Sequence, residues 1–434
     1  MKRLFLTLFA FAAISTATYA QKVNADALNS AIESGKADVN HPKKGIKSAT
    51  WLSYGQKLTD AATASSSSIF VGMAKNELML VAGNPDADAS KVENINGAEY
   101  EKFVYPTVDI YLQDEKVSFW NETKEVYPNA LGEAATAYKK AAEMDSKATE
   151  KAKAGLNIVL NNYVVNANNK YMLNDFAGAK TQFAAAAELA SDALVASEDA
   201  TMYKYYTAVA AVQGDDFAGA APIFSELAAA NYHQDGDVFY YLGYALEQDK
   251  KMAEAEKAYL EGASSYPANQ KILNQLINFY IVSGEDPSKV IPFVKKAQED
   301  NPDDHIMVFV EGIAYQNMKD YDKAHAAYNK TKSMKPDFFD AYYNDALAYI
   351  NQADAKVEEL NSVDATNNKL YNETLDTAVD FLKQAVVALE EAHKVDASSR
   401  DVVELLKSTC FRLRDIDASY LDLYNKYNDM LKSM

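Results

Sequence analysis

Residues 238–267 read VFYYLGYALEQDKKMAEAEKAYLEGASSYP. Gly243 sits between Leu242 and Leu246; beyond a polar break come Ala255, Tyr259 and Gly262, and Pro267 closes the stretch. Two later stretches close the same way, at Asn301-Pro302 and Lys335-Pro336, so the three prolines stand 35 and 34 residues apart. In the last of them Gly312, Tyr315, Ala324 and Tyr328 fall in register. Small residues (Gly243, Gly312, Ala255, Ala324) let two helices approach closely, the rings of Tyr259 and Tyr328 fill the seam, and proline stops the second helix. An unrelated helical bundle would not repeat glycine and proline at one interval.

This pattern resembles the tetratricopeptide repeat (TPR) family. Phe239 stands in the tryptophan position, Leu242-Gly243 forms the Leu-Gly pair, and Ala255, Tyr259 and Pro267 take the later signature positions. The proline spacing matches that family's 34-residue period. Weaker copies extend the array. Ala208, Phe217, Ala220 and Phe224 mark a repeat over roughly 201–234. Ala179, Phe183 and Ala186 mark one over roughly 155–192, with Asp175-Phe176 at its turn. Ala385, Leu389 and Ala392 mark the second helix of a late repeat whose closing proline has become Ala397, and Asp401–Leu413 with Tyr420–Leu431 read as a capping pair. The segment Asn351–Thr374 breaks the period; its first half extends the preceding helix, and Asn361–Asn372 reads as a polar loop. The resemblance implies a mainly α fold, an α-α superhelical solenoid.

A first helix also opens at Thr50-Trp51-Leu52-Ser53-Tyr54-Gly55, but residues fitting its partner, Ala134, Tyr138 and Ala141, follow some eighty residues later. Between them a short helix opens at Gly72-Met73 and ends at Gly83-Asn84-Pro85. Then Val108, Ile110 and Leu112 alternate toward a polar Gln113-Asp114-Glu115-Lys116 turn, with Val117 and Phe119 beyond it, which is a β-hairpin pattern. This small α+β insertion resembles the SmpA/OmlA outer-membrane-assembly lipoprotein module at Gly72-Met73-Ala74-Lys75, Ala82-Gly83-Asn84-Pro85, Phe103-Val104-Tyr105 and Val108 to Trp120. It departs in having Phe103 where that family has tryptophan and in lacking the lipidated cysteine, so the assembly role does not transfer directly.

The resulting division is 1–20 signal peptide, 21–46 N-terminal segment, 47–62 first helix of the split repeat, 63–128 insertion, 129–397 repeat array and 398–434 capping helices. Lys2-Arg3, the apolar run Leu4–Ile14 and the small residues Ser15–Ala20 have the order of a cleaved secretory signal, with cleavage after Ala20. Eleven apolar residues are too few to span a bilayer, and the alternative is a buried N-terminal helix. No later stretch suits a transmembrane segment. The single cysteine, Cys410, lies far from the cleavage point, leaving no lipobox thiol to acylate and no intrachain disulfide. An exported protein, periplasmic or associated with the outer membrane, is therefore expected.

The formal charge is −19, and −21 once Lys2 and Arg3 are removed. So acidic a surface repels phosphate backbones and anionic headgroups, which argues against nucleic acid and bare membrane as partners. His41, His233, His305, His325 and His393 are scattered, without metal-ligand spacing, and no phosphate loop or nucleophile elbow is found. Asp215-Asp216, Asp303-Asp304 and Glu390-Glu391 read as turns or solvated helix surface, and Cys410 as a buried thiol. Neither enzyme activity nor a cofactor is expected.

In this family the first helices line a concave groove. Counting one position per repeat gives Tyr205, Tyr240, Phe309 and Tyr343, with Tyr244 a turn beyond Tyr240 and Asn274 or Gln275 in the intervening repeat. These rings form a candidate ladder for an extended segment of a protein partner in the cell envelope or outer membrane. The competing reading packs them against neighbouring helices. The Lys/Asn carboxylate clamp of some TPR cochaperones is not evident. A glycan-capture role like that of SusD-type proteins is the alternative, although those are longer and lipid-anchored.

Overall fold

The computed structural model describes residues 23–283, 286–364 and 367–434; the expected signal segment 1–20 lies outside the described residues. The chain is mainly helical, with one four-stranded sheet near the N-terminus, and divides into two compact units, the first ending at Tyr232 and the second starting at His233. The first holds α1 (Ala25–Asn40), α2 (Ser48–Thr63), α3 (Lys75–Ala82), the strands β1 (Lys91–Ile95), β2 (Ala98–Val104), β3 (Val108–Gln113) and β4 (Lys116–Glu122), then α4 (Ala130–Met144), α5 (Thr149–Met172), α6 (Phe176–Ala190), α7 (Ala200–Gln213) and α8 (Phe217–Ala229). The second holds α9 (Asp237–Gln248), α10 (Met252–Ser265), α11 (Gln270–Ser283), α12 (Ile291–Asp300), α13 (His305–Asn317), α14 (Tyr321–Met334), α15 (Phe339–Leu360), α16 (Asn368–Val395), α17 (Arg400–Leu413) and α18 (Ala418–Ser433). Within each unit successive helices pack as hairpins, α5 on α6, α7 on α8, α9 on α10, α13 on α14 and α15 on α16, which is the packing of a helical solenoid.

Local chemistry sets these hairpins. Pro267, Pro302 and Pro336 each lie two residues past the last helical residue of α10, α12 and α14, where the missing N–H breaks no helical bond. A Cβ on Gly243 would come within 2.3 Å of the Tyr259 ring, and one on Gly312 within 2.6 Å of Tyr328; bare backbone is what lets each ring lie flat in the seam. Each hydroxyl, buried with its ring, donates to the residue one turn beyond the glycine, Tyr259 to Glu247 Oε2 at 2.8 Å and Tyr328 to Gln316 Oε1 at 2.6 Å. The turns recur as well. Asn174, Asp215, Lys250 and Lys319 have φ between +57° and +64°, each nine residues before the buried ring of Phe183, Phe224, Tyr259 or Tyr328. Aspartates cap the following helices, Asp175 accepting from the Gly178 N–H and Asp216 from the Gly219 N–H. Asp304 caps α13 in the same manner.

The interrupted pair obeys the same rules. α2 packs directly on α4. A Cβ on Gly55 would lie 2.9 Å from the Tyr138 ring, Thr59 Oγ1 lies 3.3 Å from the Tyr138 hydroxyl, and Asn129, nine residues before Tyr138, has φ +53°. The insertion between them is an antiparallel meander in the order β1-β2-β3-β4. Asp114 and Glu115, both at positive φ, make the tight turn between β3 and β4. One sheet face closes over α3 with Met73, Leu78, Phe103, Ile110, Val117 and Trp120. Phe119 corrects the alternation read from the sequence. The β3–β4 register passes from Leu112↔Val117 to Tyr111↔Phe119, so Ser118 is one extra residue and the bulge turns Phe119 to the other face. There it stacks on Tyr111 at 4.6 Å and meets Met172 and Leu173 at the end of α5. The polar loop is also shorter than read: the Asn367 side chain accepts from the Leu370 N–H and starts α16 at Asn368.

Candidate functional site

In the second unit the first helices of consecutive hairpins touch one another, α9 on α11, α11 on α13 and α13 on α15. α9 begins after Gly236, whose φ of +95° suits glycine. Val238, Phe239, Gly243, Ala245 and Leu246 are buried, which leaves Tyr240, Tyr241 and Tyr244 half-buried around the helix. Tyr240 and Tyr244, one turn apart, stack nearly parallel with centroids 6.3 Å apart and planes at 11°, and Tyr241 meets Tyr240 edge-on at 5.0 Å. Burial, with Tyr244, Asp237 and Glu247 nearby, raises the Tyr240 phenol above its ordinary pKa. On the adjacent α11, Gln275 donates to Glu247 Oε2 at 2.9 Å, the oxygen that also accepts from Tyr259. Asn274 presents a buried Oδ1 with no hydrogen-bond partner.

The other ring positions have surroundings of their own. Phe309 is 4% exposed, wedged against Phe338 at 5.2 Å and Tyr328 at 5.9 Å. It is a core residue, a correction to the ladder: the ring that follows Pro336 closes over it. Tyr343 stacks on Phe339 at 5.7 Å and packs against the cluster built around Leu389 and Leu406. Tyr205 belongs to the first unit, where Tyr206, Phe224 and Tyr232 surround it at 5.5 to 6.1 Å. Tyr240 and Tyr244 form a stacked pair of half-buried tyrosines.

Polar groups elsewhere in the second unit bridge its helices. His325 lies on Tyr349 at 3.9 Å, with Nδ1 2.5 Å from Asp345 Oδ1 and Nε2 2.9 Å from Gln352 Oε1. Lys332 Nζ reaches Asp345 Oδ2 at 2.5 Å. Burial works against the imidazolium, yet hydrogen bonds to Asp345 and Gln352 prevail and raise the His325 pKa. This network ties α14 to α15. Glu390 accepts from the Tyr427 hydroxyl at 2.9 Å, and burial pushes the Cys410 thiol up to about 11, unsuited to a nucleophile. Among the described residues no cluster of three or more His, Cys, Asp or Glu could hold a metal, and no helix is long and apolar enough to cross a membrane.

No family model matches the chain, and no curated protein does. Among solved structures it is similar to a tetratricopeptide repeat protein from Parabacteroides merdae, at 14% identity over 58% of this chain and 98% of that one, with a TM-score of 0.36. It is also similar to the C-terminal part of a TPR repeat-containing protein from Cytophaga hutchinsonii, at 16% identity over 55% and 98%, TM-score 0.33. A TPR repeats protein from Bacteroides fragilis matches at 17% identity over 58% and 97%, TM-score 0.27.

Proposed function

We propose that this chain is an exported binding protein of the cell envelope, a scaffold without catalytic activity that holds an extended protein segment on the first-helix face of its second unit. The observation that carries the reading is the stacked Tyr240–Tyr244 pair of half-buried rings on α9. Rigid rings give large contact area for little lost rotamer entropy. Export rests on the order of residues Lys2–Ala20.

Capture from cross-linked envelopes, run beside a glycan array, tests it. A protein recovered by the native chain and lost with Tyr240→Ala and Tyr244→Ala supports the reading; unchanged recovery removes these rings from the site. Parallel rings also suit sugar faces, so a glycan recovered with no protein moves the assignment to carbohydrate capture. Sequencing the N-terminus of the protein isolated from fractionated cells should give Gln21 first; Met1 on protein from the cytoplasmic fraction overturns export.

A further inference from the structure

The sheet of the insertion has one closed edge and one open edge. Along β4, the Gly72 N–H donates to Val117 O at 2.7 Å, the Val117 N–H to Met73 O at 2.9 Å and the Lys75 N–H to Glu115 O at 2.9 Å; the segment entering α3 covers that edge. β1 is the other edge. Its Ile95 faces Ala98 across a two-residue turn, Asn96 and Gly97, both at positive φ. Residues flanking such a turn exchange both of their backbone hydrogen bonds. Alternation then aims the N–H and C=O of Ile95, Glu93 and Lys91 at β2 and those of Val92 and Asn94 away from the sheet. Val92 and Asn94 are exposed, and among the described residues neither N–H meets a backbone acceptor elsewhere in the chain.

Charge says what fits this edge. Lys91 stands opposite Lys102 of β2, a like pair bridged by Glu93, whose Oε1 lies 3.1 Å from Lys91 Nζ and 3.5 Å from Lys102 Nζ. One carboxylate thus serves two ammonium groups, and a second carboxylate is favoured on the open side of Lys91. Another β1 laid antiparallel, with Val92 opposite Val92, supplies it. Lys91 of each copy then faces Glu93 of the other, at the non-hydrogen-bonded positions where side chains approach closest. Moving the twofold axis by one residue either way sets Lys91 or Glu93 against its own counterpart, which like charges disfavour.

We propose that β1 is a self-recognition edge, through which two copies of this chain pair antiparallel about Val92 and join their sheets into one. The contact is small, so the association is weak, with a Kd on the order of 100 µM. It is separate from the α9 tyrosines and stands whether or not they hold a partner.

Sedimentation equilibrium of the full-length protein from about 1 µM to about 1 mM tests it, and monomer should pass to dimer across that range. Amide exchange at Val92 and Asn94 should slow as the dimer fills, more than at Lys91 and Glu93, which β2 already holds. Lys91→Glu and Glu93→Lys should each weaken self-association by about tenfold or more. An equimolar mixture of the two should pair again, because opposite charges then meet on both sides of the axis. Should Glu93→Lys disturb the sheet through Lys102, Val92→Pro decides: an edge strand tolerates proline where the N–H faces outward, and the donor is lost. Monomer at every concentration, a dimer that persists in folded Lys91→Glu and Val92→Pro proteins, or a mixture of folded charge variants that stays monomeric overturns the proposal.

Discussion

Two hairpins of this chain make the same seam by different routes. In α9–α10, Gly243 and Tyr259 are 16 residues apart; in α2–α4, Gly55 and Tyr138 are 83 apart. Both pairs have a ring lying against bare glycine backbone and a hydroxyl beside the residue one turn past that glycine. Both have a residue at positive φ nine before the tyrosine. The seam and its turn residue therefore specify the pairing, and the connection between them is free to vary. Polymer physics agrees. Lengthening a flexible loop from a few residues to several dozen costs only about 3 kcal/mol. A folded insert costs less, since its own packing holds its ends together, as the Ser66–Glu122 bond does here.

The sharpest way to break this equivalence is to remove the rings. Tyr259→Ala and Tyr138→Ala should each lower hairpin stability by about 3–5 kcal/mol, read from hydrogen exchange resolved to the affected helices. A much smaller loss at Tyr138 would show that the interrupted pair leans on other contacts. Next come the glycines. Gly243→Ala and Gly55→Ala should cost about 1–3 kcal/mol through overpacking, with Gly243 the worse because its ring is 0.6 Å nearer, at 2.3 against 2.9 Å.

Deleting residues 62–128 sets Gly55 and Tyr138 16 apart and brings Asn129 to the turn position that Lys250 holds. The shortened protein should keep its α2 and α4 exchange protection to within about 1 kcal/mol; loss of α2 protection would mean that the sheet holds this helix in place. The smallest effect belongs to the turns. Lys250→Gly and Lys319→Gly relieve a left-handed backbone and should stabilise by about 0.5–1 kcal/mol. Asn129→Gly should gain less, because asparagine tolerates that region.

Those seams were readable because each uses a residue type with one physical meaning at a fixed interval. Gly243, Tyr259 and Pro267 announce their roles, and Trp51-Gly55 with Ala134-Tyr138 announced a split pair despite the intervening sequence. What escaped has weaker local signals. α1 buries only Ile32, Gly35 and Val39, too sparse a stripe to mark a helix. β1 is polar, with Val92 64% exposed, and nothing in KVENI marks which strand it joins. Ser118 carries no sign of the bulge that turns Phe119. Phe309 misled because position counting assumes every repeat shows the same face, whereas Phe338 covers this one from a connection.

The split seam also has a consequence for synthesis. A ribosome adding about 5–20 residues per second releases Tyr259 roughly 1–3 seconds after Gly243, but Tyr138 roughly 4–17 seconds after Gly55. For that interval the apolar stripe of α2, Tyr54, Leu58 and Ala61, has no α4 to cover it, while the meander, whose pairings are all between neighbours, is complete by Glu122. Nascent chains arrested just after residue 125 has left the exit tunnel should therefore carry a protected sheet beside an α2 open to protease.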